Sequence, residues 1–295
     1  MAQLREIKKR IKAVGNIQRI TKTMQMIATA RFQAAVRRSQ ATRPYTDKLY
    51  EIAGELASAG GSGEDGHPLL SAPSVVKSKK LVLVISSNRG LCGAYNANVL
   101  RTAATYLKSD SADIELEVVG KKGLAFFRFA GRAVAAGHTH FTDKPSYESV
   151  EELGNSYIDR FVAGEFDSVH VVYMRFISNA KQTPEVLQLL PLKPPAVEDS
   201  GEAASGGDSE SIYEYSPDPA TLLSELLPLT VKSTLFQAFN DAVVSEQISR
   251  MVAMKAATDN AGKMGKNLKR SFNRARQAQI TTELSEIIAG AAALS

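Results

Sequence analysis

An α/β domain inserted into a long antiparallel α-helical coiled coil, formed by the N- and C-terminal helices, is the architecture this sequence predicts. Three observations carry that expectation. Apolar residues recur at helical spacing from Leu4 onward, and they do so again across the C-terminal stretch from about Leu229. Between those stretches, short apolar runs bounded by turns alternate with helical patterns, as in a layered α/β domain with a largely parallel sheet.

The first helix is read from Leu4, Ile7, Ile11, Val14, Ile17, Ile20, Met24 and Ile27. The spacing is close to a coiled-coil seam with one residue dropped near Ile17, a phase slip that alters the supercoil locally. Small residues Ala28, Ala30, Ala34 and Ala35 follow, which permit close helix approach. Gly15 costs about 1 kcal/mol relative to Ala in a helix, so packing has to hold that turn. Pro44 removes a backbone donor and predicts a kink or a new segment. The pattern resumes at Leu49, Ile52, Ala53 and Leu56 and ends in Ser58–Gly63, which gives an N-terminal helical segment over 1–58 and a linker over 59–79.

A Rossmann-like α/β domain is expected over 80–195. Strands are read at Lys80–Ser86, Ile114–Val119 and Ser168–Ile177, with an edge strand at Pro184–Pro191 and helices near 94–109, 121–130 and 147–164. Residues 196–211 are acidic and rich in small side chains, which predicts a mobile loop within a connector over 196–228. The final helix is read over 229–295, with no proline after Pro228. At about 1.5 Å per residue it would reach on the order of 100 Å and needs a partner helix or an equivalent sheath. Paired antiparallel with the shorter first helix, it should project beyond it and end in the apolar, uncharged stretch Ile287–Ser295.

Charge is strongly polarised. Residues 1–43 hold eleven Lys or Arg and one acid, Glu6, and residues 250–276 hold eight and one acid, Asp259. These stretches carry +10 and +7 within a chain of net +5, so the remainder carries −12. Helices that repel themselves this strongly call for an external acidic surface, and a large preformed acidic partner suits them better than a small substrate. Phosphate would also attract such helices, but Phe32 and Phe272 are the only aromatics in these stretches, too few to stack on bases.

No run approaches the roughly 18–20 apolar residues needed to cross a bilayer. The start lacks the apolar core of a secretory signal and already belongs to the helical pattern, so it reads as mature structure. Cys92 is the single cysteine, which rules out an internal disulfide and fits a reducing compartment.

The sharpest candidate for chemistry is the glycine-rich turn after the first strand, Arg89, Gly90, Leu91, Cys92 and Gly93. Amides at a strand–helix turn can cradle phosphate. Yet the spacing matches neither the Lys-Ser/Thr phosphate loop nor the three-glycine dinucleotide fingerprint, and a tight structural turn at a place where partners dock is the favoured reading. A nucleotide-binding enzyme using Gly90–Gly93 and a nucleic-acid-associated coiled coil remain the alternatives. His67, His138, His140 and His170 form no motif with Cys92, and His138 with His140 lacks further metal ligands. The chain is therefore expected to perform no chemistry and to hold no cofactor.

Several blocks resemble the gamma subunits of F-type ATP synthases: Arg250–Ala261 and Ala275–Ala293, Ile7–Ile11 and Ile20–Ala28, Ser87–Gly93, and Leu187–Leu192. The resemblance spans essentially the whole chain. It implies a non-catalytic rotor, one copy per complex, whose terminal helices turn inside a hexamer of alternating alpha and beta subunits. The α/β foot would meet the epsilon subunit and the membrane c-ring, delta is a further partner in the complex, and no direct nucleotide and no nucleic acid are implied. It further implies that Lys22 and Met24 lie near an acidic beta-subunit loop and that Arg276 and Gln277 engage a beta loop higher up. Ile287, Ile288 and Leu294 would form an apolar bearing. Chloroplast-type members switch by an inserted cysteine pair that this chain lacks, which points to a bacterial member on the cytoplasmic face of the inner membrane.

Overall fold

The computed structural model describes residues 2–60, 67–71, 78–110, 112–192 and 219–292. In chain order these form α1 (Ala2–Gly60), β1 (Lys79–Ile85), α2 (Tyr95–Ser109), β2 (Asp113–Val119), α3 (Lys121–Phe129), β3 (Ala136–His138), α4 (Tyr147–Val162), β4 (Ser168–Phe176), β5 (Gln182–Leu190) and α5 (Pro219–Ala292). The predicted class holds: an α/β insert lies between long terminal helices. The chain divides into two compact units, Arg31–Ser249 and the pair Met1–Ala30 with Arg250–Ser295. The expected 196–211 loop, and residues 61–66 and 72–77 of the expected linker, lie outside the described residues.

In the first unit a five-stranded sheet runs in the order β3-β2-β1-β4-β5. β1 is parallel to β2 and β4, β2 is parallel to β3, and β5 closes the edge antiparallel to β4. The apolar run Leu81–Ile85 is unbroken because both of its faces are covered. Its side chains alternate between two cores. Val82 and Val84 join Val99 and Ala103 of α2 and Phe127 of α3. Leu81, Leu83 and Ile85 join Tyr157 of α4, Leu56 of α1 and Leu227, Val231 and Leu235 of α5.

The two prolines inside the long helices, Pro44 and Pro228, both lie within continuous helix. α1 continues through Pro44 rather than starting a new segment there. Pro44 cannot donate to the carbonyl four residues back, but buried Ser39, Thr46, Leu49 and Ala53 hold the helix on either side. Ser39 Oγ donates to Asp241 Oδ1 of α5 at 2.9 Å, and Thr42 Oγ1 donates to Gln237 Oε1 at 2.8 Å. α5 begins at Pro219, ahead of the expected 229, and passes through Pro228. Buried Leu223, Leu227 and Val231 supply the reason, since packing of that face outweighs the local preference. The three-residue β3 was not among the expected strands.

The second unit is an antiparallel helix pair. Thr258 Oγ1 hydrogen-bonds Thr21 Oγ1 at 2.8 Å, a Cβ on Gly262 would meet Gln18, and one on Gly265 would meet Val14. Leu4 and Ile7 share a groove with Ser271, Ala275 and Ala278. The seam therefore follows positions 4, 7, 11, 14, 18, 21, 25 and 28 against 251, 254, 258, 261, 265, 268, 272, 275 and 279. That is an unbroken heptad spacing, not one with a dropped residue. Gln18, Thr21 and Gln25 occupy seam positions, while Ile17 and Ile20, expected there, are 51% and 60% exposed. Gly262 leaves room for the Gln18 amide in this seam, since a Cβ there would lie 3.0 Å from Gln18 Nε2.

Candidate functional site

The paired-helix unit presents mostly positive charge. Its residues 1–30 and 250–295 hold fifteen Lys or Arg against four acids, and Lys8, Lys12, Arg19, Lys22, Lys263, Lys266, Lys269 and Arg274 are all exposed. Glu6 pairs with Arg10 at 2.5 Å, one turn away on the same helix. Lys22, Arg276 and Gln277 are exposed, whereas Met24 is half-buried beside the seam. Residues 281–292 of α5 are exposed throughout, including Ile287 at 69% and Ile288 at 60%. Leu294 lies outside the described residues.

In the α/β unit, the turn from Ser86 to Gly93 is built by its own polar groups. Ser86 Oγ donates to Val119 O at 2.7 Å and accepts from Gly123 N at 2.9 Å, which joins the end of β1 to the end of β2 and the start of α3. Ser87 Oγ donates to Arg89 O at 2.6 Å and accepts from Asn96 Nδ2 at 2.7 Å. Asn88 Nδ2 donates to Phe141 O at 2.7 Å, and its Oδ1 accepts from Lys121 N at 3.1 Å. Gly120, at φ +92°, has to lack a side chain, since a Cβ would lie 2.3 Å from Ser86 O.

The five residues grouped by sequence separate in space. Cys92 is buried, with its sulfur 3.2 Å from Asn96 Nδ2. Leu91, in the left-handed region at φ +65°, projects outward at 60% exposure, and Arg89 is exposed beside it. Gly93, also left-handed at φ +56°, lets the chain enter α2. Arg89 and Leu91 are therefore the outward side chains of the turn, while Cys92 is closed off.

A buried ionic cluster escaped the sequence reading. Glu117 on β2 is 5% exposed; it accepts from Tyr157 Oη at 2.7 Å and sits 2.8 Å from His138 Nε2 and 3.4 Å from Arg160 Nη1. Arg160 also reaches Glu115 at 2.6 Å and Glu165 at 2.8 Å, and Lys79 reaches Glu115 at 3.2 Å. Burial pushes the Glu117 carboxyl up. The hydrogen bonds from His138 and Tyr157 and the nearby charges outweigh it and hold the group below the ordinary glutamate range. Burial and the same carboxylate drive the Tyr157 phenol well above its usual value. These shifts have a structural cause, since the cluster fastens α4 across β2 and β3. The alternation of Glu115 and Glu117 in an otherwise apolar strand was the available signal.

Among the described residues, no group of three His, Cys, Asp or Glu is placed to hold a metal ion, and no helix is long and apolar enough to cross a membrane.

Comparison with known proteins adds independent information. A family model described as ATP synthase matches residues 3–294. The chain is similar to the ATP synthase gamma chain of Rhodopirellula baltica, at 42% identity over all of this chain and 99% of that relative. It is similar also to the ATP synthase gamma chain of Leptospira biflexa, at 41% identity over 100% of both. Among solved structures, it resembles a chain from the Euglena gracilis mitochondrial ATP synthase rotor at a TM-score of 0.63 and 17% identity, covering 95% of this chain and 99% of that one. The last likeness is one of fold.

Proposed function

Because the chain belongs to the ATP synthase gamma-chain family, and so is a central-stalk subunit of F1, we propose that it acts as a mechanical rotor with no active site of its own. The observation that carries this reading is the paired-helix unit, cationic around its surface, polar along part of its seam and apolar toward its tip. Such a surface suits a sleeve of alpha and beta subunits with acidic loops. Exposed ion pairs are worth about 0–1 kcal/mol each, so a turning contact breaks and remakes them without sticking.

In this reading Lys22 and Met24 face an acidic beta-subunit loop, and Arg276 and Gln277 engage a second loop higher on the shaft. Ile287, Ile288 and Leu294 form the apolar bearing, where a charge would meet a desolvation cost of about several kcal/mol. The exposed turn from Arg89 to Gly93 is a docking point on the foot. Epsilon, delta and the c-ring complete the set of partners, one copy of this chain serves each complex, and the complex sits on the cytoplasmic face of a bacterial inner membrane.

Reconstitution tests it. The isolated chain is expected to hydrolyse no ATP, and its addition to alpha, beta and epsilon should yield an assembly several times its own mass with coupled hydrolysis. Substantial ATPase activity in the purified chain alone would overturn the proposal.

A further inference from the structure

The segment Phe141–Asp143, between β3 and α4, joins several elements of the α/β unit. Phe141 is buried, and its ring centre lies 4.6 Å from that of Phe239 on α5. Its carbonyl holds Asn88 of the turn after β1, and Asn88 in turn holds the first amide of α3. Asp143 does the rest. One oxygen, Oδ2, accepts hydrogen bonds from both Arg31 of α1 and Arg89 of the turn. The Asp143 carbonyl accepts from Arg38 Nη2, one further step along α1, at 3.0 Å.

Two guanidiniums thus share one carboxylate oxygen, and they come from elements far apart in sequence. Without the carboxylate they would stand side by side with the same charge, and Arg38 adds a third guanidinium at the Asp143 carbonyl. The side chains of Asp143, Arg31 and Arg89 are partly open to water, so these pairs add little to overall stability. What they do is fix a position. The turn itself contains left-handed Leu91 and Gly93, and Arg89 is its exposed cationic anchor back to a helix.

We propose that Asp143 is a positioning residue that locks the exposed turn from Arg89 to Gly93 onto helix α1, so that force applied at the turn passes into the helix instead of being absorbed by the turn. This rests on the reading of the turn as a docking point. It makes Asp143 part of the coupling machinery although it touches neither nucleotide nor ion.

The test uses the whole membrane-bound complex carrying Asp143→Asn, which preserves shape and removes the charge. Both ion pairs of Asp143 are lost, and amide exchange across residues 88–93 should quicken by about fivefold, the hold of the Arg89 pair on the turn. ATP hydrolysis should persist, while proton pumping per ATP falls severalfold. Asp143→Glu should restore both readings, which a general loss of folding would not allow. Unchanged exchange, or faster exchange with undiminished pumping per ATP, overturns the proposal. If the Asn variant fails to assemble, Arg31→Gln breaks the same link from the helix side. There, partial uncoupling is expected, and wild-type pumping per ATP would overturn the idea equally. Failure of the rotor reading shows separately, as absence of pumping in the complex with the unmodified chain.

Discussion

The α/β unit and the paired-helix unit use the same residue types to opposite ends. In the first, β1 buries every side chain from Leu81 to Ile85, and α5 adds Leu227, Val231 and Leu235 to the same core. In the second, Ile17, Ile20, Ile27, Val252 and Met264 are left about half exposed or more, while Gln18, Thr21 and Gln25 take seam positions. Full burial of such an apolar side chain is worth about 1.5–3 kcal/mol, so the helix pair leaves much of that stabilisation unrealised. One unit is stabilised by what it encloses. The other keeps apolar area and like charge available for a surrounding surface.

The contrast can be broken or sharpened by mutation and by pH. The largest effect is expected at the ionic cluster: Glu117→Ala takes the acceptor from buried Tyr157 and from His138 and one of three carboxylates from Arg160, and should lower the stability of the α/β unit by about 3–5 kcal/mol in denaturant unfolding. Leu235→Ala should follow at about 2–5 kcal/mol in the same assay, from a cavity in the main core. Ile20→Ala in the isolated chain should cost well under half of that, and a comparable cost would abolish the distinction between the units.

A pH series comes next. Glu117 has a lowered folded value, so its contribution is complete above the ordinary glutamate range and is lost as pH falls through that lowered value. Asp241 runs the other way. Burial pushes its carboxyl up despite the hydrogen bonds from Ser39 and Gln237, so acidification through its raised value relieves a cost. Glu117→Gln should flatten the acid limb of the stability curve, and Asp241→Asn should steepen it. The smallest change is expected in the seam. Replacing Thr21 and Thr258 together by Val removes both members of one hydroxyl pair and should alter helix-pair melting by about 1 kcal/mol or less. A loss of several kcal/mol would mean that the polar seam stabilises the pair strongly by itself.

Much of this architecture was legible in the residues. β1, β2 and β4 announced themselves as apolar runs between turns, and the helices around them fall within a few residues of the expected ends. Pro228 misled because a proline reports only its local preference, while the burial of Leu223, Leu227 and Val231 that overrides it depends on the rest of the chain. The seam misled for a related reason. Periodicity locates an apolar stripe on α1, but the face that meets α5 is selected by Ala261, Gly262 and Gly265 opposite. At the candidate surfaces, the cationic character of the helices was visible in composition, and the outward pose of Arg89 and Leu91 was not. Asp143 gave no signal, since a lone acid in a loop has neither spacing nor period.

Cys92 is the only thiol in the chain, and it is packed away under the turn at 2% exposure. The molecule therefore offers a quiet background for attaching a reporter. A cysteine introduced at Lys266, on the open face of α5, would take a maleimide dye ahead of the native sulfur. Angular stepping could then be followed by fluorescence polarisation without first stripping the protein of its natural side chain.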